Sequence, residues 1–322
     1  MGKGRPPRGA GGTAAGGASA GSGRRGAPDP APDRARPRPL RRYGQNHLVD
    51  RNVLRAVLAQ AAVGPDDVVL EVGAADGLLT RPLLESARLV HAYEVDRRFV
   101  PRLEVLAAEH AGLELHVGDA LRAPLGELVP PPTALVANLA YNIAIPLIVT
   151  SVSVLPTVER WAVMVQRELA DRLFARPSTK PYSAVSILVQ LHCELERARP
   201  VPRNAFRPRP NVESSFLTFT RRARLATGEW EVGDERLDAA GYARLEPLVR
   251  LAFTQRRKLL TNALSGAGPA LAPSRERVRE ALRAVGAGEK ARPEELSPAG
   301  WVRFARALGT LKDGGAATGE GT

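Results

Sequence analysis

Between residues 68 and 166 the chain alternates short apolar runs with amphipathic stretches. The runs 68–72, 89–94, 113–117, 134–138 and 161–166 are rich in Val, Leu and Ala, and each has the length of a buried strand. The segments 78–86, 97–109 and 145–153 between them read as helical. Ahead of the first run, Asp50 is placed to cap a helix whose Val53, Leu54, Val57, Leu58 and Ala61 share a face, stopped by Gly64-Pro65. A later run, 213–220, predicts a further strand lying antiparallel beside the others. Strands alternating with helices predict an α/β fold with a doubly wound, Rossmann-like sheet.

After Arg224 the pattern turns helical. Leu245, Leu248, Val249, Ala252 and Phe253 keep helical spacing. Ser274 is placed to cap a helix carrying Val278, Leu282 and Val285, ended by Gly286. Ser297-Pro298 opens another with Trp301, Phe304 and Leu308. The expected organisation is a basic disordered tail over 1–42, an α/β domain over 43–224, a small helical domain over 225–310 and a flexible tail over 311–322. The first tail is almost devoid of large apolar side chains, so burial cannot offset its chain entropy.

Composition narrows the partners. Among 322 residues there are 46 Lys and Arg against 34 Asp and Glu, a net charge of +12, which points to a polyanion. Residues 1–42 hold ten of those cations and two Asp, so +8 of the excess sits there. One cysteine, Cys193, excludes an internal disulfide and fits a reducing compartment such as the cytoplasm. Its apolar setting reads as a core thiol. His47, His91, His110, His116 and His192 show no metal-ligand spacing, so no metal centre is expected. No run approaches the roughly 18 apolar residues of a membrane span, and no signal-peptide core is present. A monomer is expected.

Candidate chemistry collects at the strand ends. The first strand closes on Gly73-Ala-Ala-Asp-Gly77, a glycine-bearing turn into a helix, which is a ligand loop but not the dinucleotide glycine pattern. The second closes on Glu94-Val-Asp96. Either acid can accept the two hydroxyls of a ribose, and Glu94 sits nearer the strand end. The third closes on Gly118-Asp119, whose carboxylate can accept from the amino group of an adenine. The fourth closes on Asn138-Leu-Ala-Tyr141. There the amide oxygen of Asn138 and the carbonyl of Leu139 can accept both protons of an exocyclic amine, and Tyr141 can stack on the base. Phe206 is a candidate for the opposite face of that base, or a core aromatic before Pro208. Arg207, Arg209, Arg221, Arg222, Arg256, Arg257 and Lys258 are candidate phosphate contacts.

In this order the motifs resemble the ribosomal RNA adenine dimethyltransferases of the KsgA type. Tyr43-Gly-Gln-Asn-His-Leu-Val-Asp50 precedes the sheet. Gln166-Arg-Glu168, Lys180-Pro-Tyr-Ser183, Phe206-Arg-Pro-Arg-Pro-Asn-Val-Glu-Ser214, Gln255-Arg-Arg-Lys258 with Asn262, and Arg292-Pro-Glu-Glu-Leu-Ser297 follow. The resemblance covers roughly residues 40–310. It implies a Rossmann-like methyltransferase sheet with a small C-terminal helical domain, S-adenosyl-L-methionine as cofactor, and ribosomal RNA of the small subunit as partner. By the same resemblance Asn46 and Leu48 would touch the cofactor, Gly73 would lie under its methionine part, Glu94 would hold the ribose and Asp119 the adenine. Asn138 would bridge donor and target amine. The family implies dimethylation of two adjacent adenosines in the 3′-terminal hairpin of 16S rRNA.

Ala75 stands where the family usually has glycine, Ala140 where it has proline, and His47 where it has phenylalanine. Two other readings fit parts of the chain. An Erm-type enzyme acting on 23S rRNA would share the fold and the Arg-rich head. A non-catalytic RNA-binding assembly or transcription factor would keep the fold without turnover.

Overall fold

The molecule is described here from a computed structural model, for residues 37, 38, 40, 44–265 and 274–311. Tyr43, nearly all of the expected first tail and all of the second except residue 311 lie outside the described residues.

In chain order the elements are β1 (His47–Leu48), α1 (Arg51–Ala61), β2 (Val68–Val72), α2 (Thr80–Leu84), β3 (Leu89–Glu94), α3 (Val100–Glu109), β4 (Leu113–Val117), β5 (Ala134–Asn138), α4 (Ala144–Val154), β6 (Arg160–Gln166), α5 (Arg167–Leu173), α6 (Ala184–Gln190), β7 (Cys193–Val201), β8 (Phe206–Arg207), β9 (Ser214–Arg221), β10 (Trp230–Val232), β11 (Glu235–Leu237), α7 (Ala239–Thr254), α8 (Leu260–Ala263), α9 (Arg275–Ala284) and α10 (Pro298–Ala307). The caps at Asp50, Ser274 and Ser297 form as the sequence predicts, each side chain accepting from backbone N–H groups of the first helical turn.

Seven strands form the main sheet, in the order β4-β3-β2-β5-β6-β9-β7. The first five are parallel; β9 runs antiparallel between β6 and β7. The order reverses direction between β2 and β5, and the crevice at such a reversal is where open α/β sheets take ligands. Strand alternation sorts the core. Val163, Val165, Leu217 and Phe219 face one side, with α4, α5, α6 and the later helices. Ala162, Met164 and Phe216 face the other, with α1, α2 and α3. Trp301 and Phe304 of α10 belong to the same buried cluster as Trp161 and Leu188, so the C-terminal helices share the larger core with the sheet.

Two features depart from the expected pattern. The segment around Cys193 belongs to an edge strand, β7, seven of whose nine residues are exposed. The region after Arg224 opens with a hairpin, β10–β11, turning at Gly233, before the helices begin. Cys193 itself is fully buried, and burial pushes its thiol up to about 12.

Candidate active site

The strand ends meet at a cavity of about 310 Å³ on the carboxyl side of the β2/β5 reversal. Asn46, Leu48, Gly73, Glu94, Asp119, Asn138, Leu139 and Tyr141 all line it. A shallower second pocket shares Gly44, Gln45, Asn46 and Tyr141 with the first and continues outward past Gln166, Pro208 and Arg209.

The loop after β2 is held by backbone. The N–H groups of Gly73 and Ala74 both donate to the carbonyl of Tyr93, at 2.8 and 3.2 Å. Three left-handed residues set its path: Gly73 at φ +87, Ala75 at φ +50 and Gly77 at φ +80. For alanine that conformation is strained by its Cβ. Its N–H donates to Glu94 Oε2 at 2.7 Å, while Asp96 N–H donates to Glu94 Oε1 at 2.7 Å. Burial, partly offset by those N–H groups, raises the Glu94 pKa above the usual carboxylate range.

The structure separates the two acids left open at the second strand tip. Asp96 is turned away from the cavity, accepting from Arg98 Nε at 2.9 Å and Gln45 Nε2 at 2.9 Å. Those hydrogen bonds, that of Arg98 above all, hold its carboxyl far below the usual range. Glu94 lines the cavity.

Glu71, in the middle of the apolar β2, was not singled out by the sequence. It is completely buried in the cavity wall, and its Oε2 has no hydrogen-bond partner among the described residues. Burial, partly offset by the Thr80 hydroxyl and reinforced by the nearby carboxylates of Glu94 and Asp76, pushes its pKa up to about 8. A lone acid in the run Val-Val-Leu-Glu-Val was the available signal.

On the other side of the cavity, Asn138 Nδ2 donates to the carbonyl of Asn46 at 3.0 Å. That bond fixes which amide atom is which, because a carbonyl can only accept. The N–H of Leu139 donates to Met164 O at 3.1 Å, and the Ala140 carbonyl accepts from Ile143 and Ala144, closing the turn without a proline. The Tyr141 hydroxyl lies 3.0 Å from Ser214 Oγ at the start of β9. Gly44, at φ +61, lies against this turn; a Cβ there would come within 3.0 Å of Asn142 Oδ1. The lead-in segment is pinned by β1, which pairs Leu48 with Phe206 and His47 with Arg207. The His47 ring sits edge-on to Phe99 at 5.4 Å, an aromatic contact in an aromatic's place.

Several expected contacts lie elsewhere. Phe206, a candidate for one face of a target base, is 1% exposed and packs in the core under β1, because its pairing with Leu48 turns the ring inward. Arg256 forms an ion pair with Glu294 and donates to the carbonyls of Lys180 and Thr179, so it ties the 179–180 loop to the helical region. Arg221 is turned inward and donates to the carbonyls of Val152, Leu155 and Val158 at the end of α4, and Arg222 to Gln190 and Glu194. Arg207, Arg209, Arg257 and Lys258 are exposed. Linear spacing gave the histidines no metal signature, yet β3 and β4 bring His91, Glu114 and His116 together outside the cavity.

Residues 38–287 match the family model described as ribosomal RNA adenine dimethylase. The ribosomal RNA small subunit methyltransferase A of Rubrobacter xylanophilus is 41% identical over 84% of this chain and 96% of its own length. The protein of the same name from Kineococcus radiotolerans is 39% identical, over 85% and 87%. Among solved structures, the 23S rRNA methyltransferase ErmE aligns over 82% of this chain and 100% of its own, with TM-score 0.60 and 29% identity. A dimethyladenosine transferase from Plasmodium falciparum aligns over 81% and 98% with TM-score 0.64; at 22% identity it speaks to the fold alone.

Proposed function

The chain belongs to the ribosomal RNA adenine dimethylase family, and we propose that it dimethylates adenine N6 at two adjacent adenosines near the 3′ end of 16S rRNA, using S-adenosyl-L-methionine. The observation that carries this reading is Asn138: its amide nitrogen is committed to Asn46 O, which assigns its oxygen to a donor in the cavity.

The cavity wall fits the cofactor. Glu71, buried in that wall with Oε2 unpartnered among the described residues, puts a carboxyl next to the space the cofactor would fill. When bound, the cofactor supplies an electrophilic methyl group on a sulfonium. Glu94, already oriented by two backbone N–H groups, has lone pairs left for ribose hydroxyls. Asp119, which also lines the cavity, would take the adenine amino group, and Asn46, Leu48 and Gly73 would complete the cradle.

The target amine is a poor nucleophile because its lone pair is delocalised into the ring. Asn138 Oδ1 and the Leu139 carbonyl would accept its two protons, favour a pyramidal nitrogen and aim its lone pair at the methyl group, so that catalysis is chiefly positioning. Tyr141 would stack on the base, worth about 1–3 kcal/mol. With Phe206 in the core, Tyr141 would be the stacking residue, and the outward pocket past Arg209 would be the path for the flanking RNA. Arg207, Arg209, Arg257 and Lys258 would contact phosphates, with residues 225–310 acting as the RNA-facing helical domain. The expected state is a cytoplasmic monomer. No helix among the described residues is long and apolar enough to cross a membrane.

The test offers labelled cofactor with two substrates in parallel, unmethylated small ribosomal subunits and protein-free large-subunit rRNA. N6,N6-dimethyladenosine in the small-subunit RNA is the expected product. Label confined to large-subunit RNA would replace this reading with the ErmE-like one. Label in neither, with cofactor bound, would replace it with a non-catalytic role.

A further inference from the structure

The outermost parallel strand of the sheet, β4, carries Glu114 and His116 on the face that also carries His91 of β3; the register pairs His91 with Glu114 and Tyr93 with His116. His91 Nε2 lies 2.8 Å from the carbonyl of Pro130. A carbonyl can only accept, so Nε2 carries the proton and donates, and Nδ1 of the neutral ring is left with a lone pair. That lone pair faces His116 Nε2 at 3.2 Å and Glu114 Oε2 at 3.0 Å. The three atoms all lie within 4.8 Å of one another. Either a proton held between these atoms or, with His116 protonated on its other nitrogen, a cation bound by three lone pairs joins the group.

We propose that His91 Nδ1, His116 Nε2 and Glu114 Oε2 form a binding site for a divalent transition-metal ion of the zinc class. Tetrahedral coordination with metal–ligand bonds of about 2.0–2.1 Å puts neighbouring donor atoms about 3.3–3.4 Å apart, and the two donor separations given above are already close to that. Two imidazoles and one carboxylate select zinc-like ions over magnesium. The hydrogen bond from His91 to Pro130 O is the outer contact that fixes a ligating imidazole's tautomer. His116 is held on its other side by stacking on Tyr93, centroids 4.6 Å apart and rings 13° from parallel. Glu114 has 43% of its side chain exposed, which leaves room for it to close on an ion and for water to complete the shell. The ion would clamp β4 to β3 three residues before Asp119, and so would hold the adenine end of the cavity.

The test uses the full chain, stripped with a chelator and then dialysed free of it. Zn²⁺ is titrated by calorimetry and Co²⁺ by its visible absorption, with Mg²⁺ as the control. One ion per chain is expected, with no competition from Mg²⁺. Because His91 is fully buried, the variants are the more accessible Glu114→Ala and His116→Ala, each checked for its native circular dichroism. Each should weaken Zn²⁺ at least about tenfold and remove the four-coordinate Co²⁺ spectrum. An affinity unchanged in either variant, or no stoichiometric binding to the wild type, overturns the site and leaves a shared proton as the group that joins the cluster.

Discussion

The two flanks of the cavity are held by different means. On the cofactor flank, polar groups are set by backbone of adjoining strands and loops: Glu94 by two N–H groups, and the loop after β2 by the Tyr93 carbonyl. On the target flank, orientation comes from side chains reaching to distant segments: Asn138 to Asn46, and Tyr141 to Ser214. Backbone placement follows from the sheet and forms with it. Side-chain tethers depend on the lead-in segment and on the start of β9 being in place, so the target flank can adjust when those segments move.

The largest expected effect tests whether the flanks are separable. Asn138→Ala should lower the methylation rate by at least about 10²–10³-fold, with cofactor affinity within a few-fold of wild type. Single-turnover rates and calorimetry would show it, and an equal loss in both would merge the two flanks.

Next is Glu71 on the cofactor flank. Its folded pKa of about 8 lies above the ordinary value of 4.5, so the folded chain keeps a proton that the unfolded chain releases. Its contribution to stability is therefore whole below pH 4.5 and is lost as pH rises towards 8. Glu71→Gln cannot ionise and should gain on the wild type by on the order of a few kcal/mol across that window. Urea unfolding at several pH values reads the gap; a constant difference would mean that Glu71 is not the proton carrier.

Tyr141 comes third. Tyr141→Ala should weaken the target RNA by about 1–3 kcal/mol, whereas Tyr141→Phe keeps the ring and loses only the Ser214 contact, about 0.5–1.5 kcal/mol. Equal losses would make the tether, not the stack, the source of binding.

The smallest effect compares two alanines with nearly the same φ. Ala62, at φ 49, ends α1, and Ala75, at φ 50, turns the cofactor loop. Glycine relieves about 1–2 kcal/mol of left-handed strain and loses about 0.4–1 kcal/mol to its freer unfolded chain. Both Ala→Gly variants should therefore melt slightly higher. Only Ala75→Gly should shift cofactor affinity; a shift in both would detach the effect from the loop.

Much of this contrast was visible along the chain, and unevenly. The parallel strands β2 and β5 at the centre of the sheet are apolar apart from Glu71 and the terminal Asn138 because both their faces are covered, whereas β3 and β4 towards the edge also admit His91, Glu114 and His116. Their tips then carry Gly73, Glu94, Asp119 and Asn138 into one cavity. β7 escaped because Glu194, Glu196, Arg197 and Arg199 break any apolar pattern on a strand with little to bury. The β10–β11 hairpin was announced by Trp230-Glu-Val232 followed by Gly233-Asp234, a turn signal outweighed by the helical sequence after it. The sequence left Phe206 between two readings and gave Arg256 no partner because the strand that turns one inward and the carboxylate that takes up the other lie far away in sequence. The same holds for His91, Glu114 and His116, which only strand register brings together.

The charged edge has a consequence for how much of this protein a solution can hold. Among the described residues no strand pairs with the outer side of β7, where another sheet could add a strand. Its exposed Glu194, Glu196, Arg197 and Arg199 would have to shed their hydration before a second copy could dock there. The edge should thus set a solubility ceiling: neutralising those four side chains is expected to lower the concentration at which the chain begins to precipitate by joining sheets end to end.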